Sequence, residues 1–361
     1  MTTKLFSEFK KTSDQDWIDK VQKDLKGKDI HSLSSFLPYE EIELKAIYSK
    51  SDHSDLPIIK YNSDWEIREN DNKTLDPIAL LCTTGDWNKN KDDDFDSFFS
   101  SFKGSLIVNA SVYGATGASA VQELTYSISQ LNEYLNHIND KSLKLEHLEI
   151  QLSIVGEYFI NIAKFRAIRI LILNLLKAYG IKSDVLKVHA SNNSLYFSSK
   201  DINTNILRST TQCMSAVLGG VDSISIVPHN CLIETDENFG KRVAKNLQHL
   251  LKHEAHLDKV SDPSSGSYFL DNLTAEMSKI CWEKFKNIEA KGGFTESFLQ
   301  GGVQKDIYQT LQKRIDRARS GEDTLIGINK YHLEEIPNDF RDNLLEDKSL
   351  KLTPVNIEAL I

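Results

Sequence analysis

The sequence predicts an α/β fold built on a parallel sheet, and three observations carry that reading. From Asp76 onward, short apolar runs alternate with amphipathic segments at ~35–40 residues per unit, the signature of right-handed βαβ crossovers. The runs are rich in Val, Ile and Leu, as in Ser105–Ala110 (SLIVNA) and Leu148–Ile154 (LEIQLSI). The chain has 361 residues, 40% hydrophobic and 26% charged, which is enough to bury a substantial core. Counting a short run at Trp65 and Ile67, seven or eight strands are expected. A (β/α)8 TIM-type barrel, complete or degenerate, then fits better than a doubly wound sheet.

The elements follow in order. Asp14–Gly27 places Trp17, Val21 and Leu25 at helical spacing, with Gly27 as its stop, and forms an N-terminal helical arm. Leu33–Tyr48 alternates loosely, and Glu41–Tyr48 (EIELKAIY) is read as one strand. Ile78–Cys82 is a short apolar run, followed by an acidic helix candidate at Asp92–Phe102. Strand–helix pairs then follow: Ser105–Ala110 with Ser119–Ile138, Leu148–Ile154 with Tyr158–Tyr179, Asp184–His189 with Asp201–Leu218, and Ser223–Val227 with Phe239–Leu257. Helices near Leu273–Lys291 and Val303–Arg319 and a last strand at Leu325–Asn329 complete the pattern. The division expected is an arm and linker over 1–55, a barrel over 56–330, and a tail over 331–361 that packs on the outside or frays.

Composition narrows the function classes. Acidic residues outnumber basic ones 52 to 43, for a net charge of −9. That balance argues against nonspecific nucleic-acid and anionic-membrane binding. Lys164, Arg166 and Arg169 interrupt the longest apolar stretch, so no membrane span is read, and the first residues lack an apolar signal core. Cys82, Cys213, Cys231 and Cys281 are widely spaced without a CxxC, as buried reduced thiols of a cytoplasmic protein would be.

Several motifs bear on chemistry. Gly114-x-x-Gly117-x-Ser119 opens a helix after a strand, where phosphate loops sit, but it lacks the lysine of a P-loop and reads as a tight βα turn. His249, His253 and His256 share a helical face without an HExxH spacing, and read as a solvated face. His189 ends a strand, where barrels place chemistry, and Tyr113 and Tyr196 are candidate pocket walls; packing is the competing reading for all three. Arg166 and Arg169 suit structural ion pairs, Asp262–Ser267 (DPSSGS) a loop that caps the next element, and Asp92–Asp94 a helix N-terminus.

Six segments in order carry a family resemblance: WIDKVQKDLKG, IELKAIYSKSD, the SLIVNASVYGATGASAVQELTY strand–turn–helix, YFINIAKFRAIRIL, the stretch from Val188 to Asn230, and NFGKRVAKNLQHLLKHEAHLDKVSDPSSGSYFLDNLT, with GINKY closing the barrel. The chain thereby resembles the cobalamin-dependent methylmalonyl-CoA mutases over most of its length. The resemblance implies a barrel, an arm that embraces a partner subunit, and Trp17 and Leu25 as arm anchors.

Departures from the family pattern carry the functional expectation. Where catalytic subunits have a Tyr-His pair, alignment places Ser111 and Val112. The family's histidine is kept as His189, but the glutamine two residues on is Ser191. Between Tyr48 and Ser105 the R-G-P-type and R-Q-Y-type motifs that grip substrate are missing, and no D-x-H-x-x-G loop for the cobalt's lower ligand occurs. Valine offers neither a hydrogen bond to a thioester nor a proton. The expectation is a shortened, non-catalytic small subunit that binds no cofactor or metal itself. It would stabilise a catalytic large subunit carrying adenosylcobalamin, and self-associate as a homodimer when isolated. The alternative is a free-standing module holding a CoA ester in a vestigial pocket of Tyr113, His189, Asn192 and Tyr196. New chemistry around His189, Asn192 and Tyr196 ranks third, because no base–nucleophile or paired-carboxylate arrangement supports it.

Overall fold

The computed structural model describes residues 8–9, 12–52, 56–57, 63–69, 76–85, 97–233, 237–331 and 351–361. Helix α1 (Asp14–Asp24) starts at Ser13, whose hydroxyl accepts from the Asp16 N–H while Asp16 reaches back in a capping box. No residue of α1 is buried. Strands β1 (Ser35–Leu37) and β2 (Ile42–Leu44) pair antiparallel, so Leu33–Tyr48 holds a hairpin rather than one strand. Glu40 in its turn anchors the hairpin to the body. Its carboxylate accepts from Ala120 N (3.1 Å) and Val121 N (2.9 Å) at a helix N-terminus, where the dipole favours an anion.

The body is built on five parallel strands, β3 (Glu66–Arg68), β4 (Ser105–Asn109), β5 (His147–Ile154), β6 (Leu186–Asn192) and β7 (Ser223–Ser225), in the order β3-β7-β6-β5-β4. Helices α4 (Ala120–Asp140), α5 (Tyr158–Ala178) and α6 (Thr204–Leu218) make the crossovers, and α7 (Glu237–His253) follows β7. α8 (Tyr268–Glu289) packs across α4 and α5, adding a further layer. β5 shows why the sheet has two unlike faces: Leu148, Ile150, Leu152 and Ile154 are buried in the core, while Glu149 and Gln151 between them are only half-buried.

Because α5 is sandwiched, Asn161, Lys164, Arg166 and Arg169 on it are buried and paired. Lys164 Nζ sits 2.8 Å from Glu123 Oε2 and 2.6 Å from Ser153 O, fully buried. Arg166 meets Asp271 at 2.8 Å, and Arg169 meets Asp222 at 2.7 Å and Gly220 O. Both arginines are thus the structural ion pairs expected of them.

Several expectations are corrected. Ile78–Cys82 lies in helix α2 (Pro77–Thr84), not a strand: Asp76 caps its N-terminus, Pro77 opens it, and Gly85 closes it at φ 77°. Leu325–Asn329 forms only an isolated bridge, Ile326 to Lys330, because a turn at Gly327 (φ 73°) ends any run. The described sheet therefore has five strands, not seven or eight. Ser111 and Val112 lie in a short helix, α3 (Ser111–Ala115), that follows β4. Cys231 is exposed, unlike Cys82, Cys213 and Cys281. Asp92–Asp94 falls outside the described residues.

α2 also explains how the β4 edge is covered. Asp76, wholly buried, accepts from Asn109 N at 2.5 Å, from Ile78 N and Ala79 N, from Gln130 Nε2 (2.6 Å), and from the Tyr134 hydroxyl. One side chain thus satisfies a strand-edge donor and a helix start together. α9 (Gly293–Leu299) and α10 (Gly302–Ser320) complete the body. Residues 351–361 pack onto it, with Leu352, Ile357 and Leu360 buried.

Candidate functional site

Alternation along the strands puts Glu149, Gln151, His189, Ser223, Ser225 and Arg68 on the face of the sheet opposite the helical core. Arg68 Nη1 bonds Glu149 Oε2 at 2.8 Å and Arg68 Nη2 lies 3.0 Å from Glu66. β7 and β6 separate β3 from β5, which in a flat sheet is roughly 14 Å of strand spacing. Arg68 is level with Ser225, whereas Glu149 is level with Lys187. A direct ion pair between them requires both long side chains to reach across a sheet that twists and curls toward this face.

His189 lies under that ion pair. Its Nδ1 is 2.8 Å from Ser223 Oγ and its Nε2 is 3.1 Å from Ser225 Oγ, so one nitrogen donates and the other accepts. Burial pushes the imidazole down to about 4, against the pull of Glu149, so the ring is neutral near pH 7. For Glu149, burial pushes the carboxyl up, but bonds from Gln151 and Arg68 outweigh it and hold its pKa below the usual range. Burial likewise opposes the charge of Arg68, and its bonds to Glu66 and Glu149 win.

Two cavities flank this arrangement and share Arg68. One of about 470 Å³ opens where β3 and β7 end, lined by Ile226, Asn230, Lys241, Lys245 and Gln248. The other, of about 330 Å³, lies where they begin, against Trp65, Lys187, Asp222 and Lys252.

The other sequence-selected residues have partners of their own. Tyr113 is buried among Tyr126 and Phe294 and donates to Gln130 Oε1 at 2.7 Å. Asn192 donates to Ser209 Oγ and Gln212 Oε1 and accepts from Val227 N at 2.7 Å, which ties β6 to α6. The Tyr196 hydroxyl accepts from Arg314, whose guanidinium also lies 4.0 Å from the Tyr39 ring. Ser111 donates to Asn109 Oδ1, Val112 is half-buried, and Ser191 is level with Ser225. Of this set, His189 and Ser191 share the concave face, while Tyr113, Asn192 and Tyr196 are committed to packing elsewhere.

Sequence reading missed Arg68, Glu149 and Gln151. The strict alternation of His147–Ile154 was the signal available for the two β5 residues. It also read three motifs as structural, and the geometry agrees. Gly117 takes φ 98° and Ser119 caps α4 with Gln122, so the glycine motif is a turn. Ser267 caps α8 from the DPSSGS loop. His249 and His253 stack on each other, with ring centroids 5.6 Å apart, but the helix ends at His253 and His256 lies beyond it at φ 53°, so the three histidines do not share one helical face.

Comparison with known proteins fits this architecture. Residues 101–352 match the family model for methylmalonyl-CoA mutase. The methylmalonyl-CoA mutase small subunit of Porphyromonas gingivalis is 34% identical over 234 residues, 63% of this chain and 38% of that protein. The small subunit of Streptomyces virginiae is 31% identical over 233 residues, again covering 63% and 38%. The methylmalonyl-CoA mutase of Rhizobium meliloti is 32% identical over 225 residues, 60% of this chain and 32% of that protein. The chain thus spans less than half the length of these relatives. With more than half of its own residues matched by the family model, the chain belongs to the methylmalonyl-CoA mutase family.

Proposed function

We propose that this chain is the non-catalytic small subunit of a heterodimeric, adenosylcobalamin-dependent methylmalonyl-CoA mutase. The large subunit would interconvert methylmalonyl-CoA and succinyl-CoA, and this chain would stabilise it through a degenerate β/α barrel wall and its N-terminal arm. The observation that carries the reading is the concave face itself. An Arg68–Glu149 ion pair spans it, and both nitrogens of the neutral His189 are held by serine hydroxyls. Both ring nitrogens are engaged by serine hydroxyls, and Ser111, Val112 and Ser191 stand where the resemblance expects reactive side chains.

The described residues do not fit a corrinoid. The cavities beside Arg68 are far smaller than a corrin with its nucleotide, and His189 has no nitrogen to offer cobalt. The family resemblance supports adenosylcobalamin being carried by the partner. The arm supports a partner role: α1 buries none of its residues, and Trp17, Ile18, Ile30 and Ile47 line an apolar cavity of about 540 Å³. Leu25 is half-buried and Phe36 is exposed on the same arm. The same surface would pair two copies when the partner is missing. No described helix is long and apolar enough to cross a membrane, and three thiols are free and buried; we place the protein in the cytoplasm.

Co-expression with a catalytic large subunit tests the reading. A stoichiometric complex whose mutase activity decays when this chain is withdrawn is expected; failure to associate would overturn it. The second reading, a CoA-ester binding module, is favoured by Arg68, Lys241 and Lys245 around the cavity where β3 and β7 end. Titration calorimetry with a CoA ester on the isolated chain distinguishes the two.

A further inference from the structure

We infer that residues 351–361 occupy a peptide-docking site at the C-terminal ends of the strands, a site that recognises a segment of pattern Asn-apolar-Glu-x-apolar folded as a turn, with Leu360 N and Ile361 N both donating to Ile357 O. In parallel α/β folds this is the face where ligands collect. Here the chain's own segment crosses it. Leu352 N donates to Cys82 O (2.8 Å), Val355 N to Ala115 O (3.0 Å) and Ile357 N to Leu195 O (2.8 Å). The three acceptors belong to α2, to α3 and to the loop after β6, so the segment bridges separate elements without joining any helix or sheet.

Its side chains are read as a ligand's would be. Ile357 and Leu360 sink into an apolar seat made by Val155, Leu195, Leu311 and Ile315. Between them, the Glu358 carboxylate accepts from Ser198 Oγ, Ser199 N and Ser199 Oγ, each at 2.6 Å. Asn356 Nδ2 donates to Ser194 O (2.6 Å) and Phe197 O (2.9 Å), and Arg319 holds Leu360 O at 2.8 Å. Two apolar anchors three residues apart, an acid between them and an amide before them define a sequence preference. An apolar seat alone would not impose one. Main-chain bonds supply affinity, and Glu358 and Asn356 supply selectivity. A partner segment with the same pattern would displace the resident one and open this face of the sheet.

The test keeps the full chain. A protease site is inserted between Tyr331 and Lys351, folding of the uncut protein is verified by circular dichroism, and the chain is then cut. A fluorescent peptide of residues 351–361 is added, and anisotropy is followed with unlabelled competitors. The expected result is that the cut segment co-elutes with the folded body, the labelled peptide exchanges in saturably, and a Glu358→Ala peptide competes at least tenfold more weakly. In the uncut chain, the amides of Val355 and Ile357 should exchange with deuterium well before those of β5 and β6. If the segment leaves only when the whole fold melts, or if the Glu358→Ala peptide competes equally, the segment is fixed core and the inference fails.

Discussion

Replacing Lys164 with Met tests how the wall behind the sheet is held together. Lys164 and Glu123 are both fully buried, and the carboxylate is shared: Oε1 accepts from Ser153 N (2.6 Å), and Oε2 from Ser153 Oγ (3.0 Å) and Lys164 (2.8 Å). Lys164→Met keeps much of the volume but strands an anion in the core. Breaking one side of such a pair costs about 3–5 kcal/mol. Glu123→Gln/Lys164→Met removes both charges and should recover most of that loss, giving a coupling of at least ~1 kcal/mol in a double-mutant cycle. Urea unfolding followed by circular dichroism measures all four corners. The pH dependence gives a second reading. Burial already raises the Glu123 pKa against the opposing pull of Lys164. Without the lysine it rises further, so the deficit is full above the folded pKa and shrinks as pH falls through it and the carboxyl takes a proton. A Lys164→Met protein within ~0.5 kcal/mol of wild type, or strictly additive effects, would refute the reasoning.

Other predictions follow from neighbouring geometry. An alanine at Gly114 would set its Cβ 1.9 Å from Ser153 Oγ and 2.7 Å from Ser153 Cβ, so Gly114→Ala should cost about 1–3 kcal/mol in thermal unfolding; a neutral result would show that the turn can shift. His189 has its pKa pushed down to about 4, so the unfolded chain takes its proton first as pH drops. Stability should therefore fall between about pH 6.5 and 4 by on the order of 3 kcal/mol, and His189→Gln should flatten that slope; an unchanged slope contradicts the assignment. Trp17→Ala should leave the isolated chain within ~0.5 kcal/mol of wild type yet weaken subunit association at least tenfold by light scattering or calorimetry. Equal association would remove the arm from the interface.

Legibility differed along the chain for physical reasons. β4 to β7 and α4 to α8 were readable because each has a buried periodic face, reinforced in some helices by caps, as at Ser119 and Ser267. α2 was misread because eight residues buried on most sides have no clean period; only Asp76, Pro77 and Gly85 marked it as a helix. α3 was hidden for the same reason, being a five-residue turn of helix straight after a strand. The site was legible as a histidine at a strand end. Its neutralising partners were not, because Arg68 comes from a three-residue strand and Glu149 reaches it only through the curl of the sheet. The packing of residues 351–361 was also out of reach, since its partners are loop carbonyls and two serines that carry no pattern.

The most direct test of the central claim is mutase turnover by a catalytic large subunit, measured with wild-type chain, with an Arg68→Ala/His189→Ala variant, and without the chain. A non-catalytic subunit predicts a stable complex, equal turnover with the wild-type and the doubly substituted chain, and rapid loss of activity when the chain is withheld. Turnover that collapses with the double substitution while the complex stays intact would mean that the concave face takes part in the chemistry, and would contradict the account.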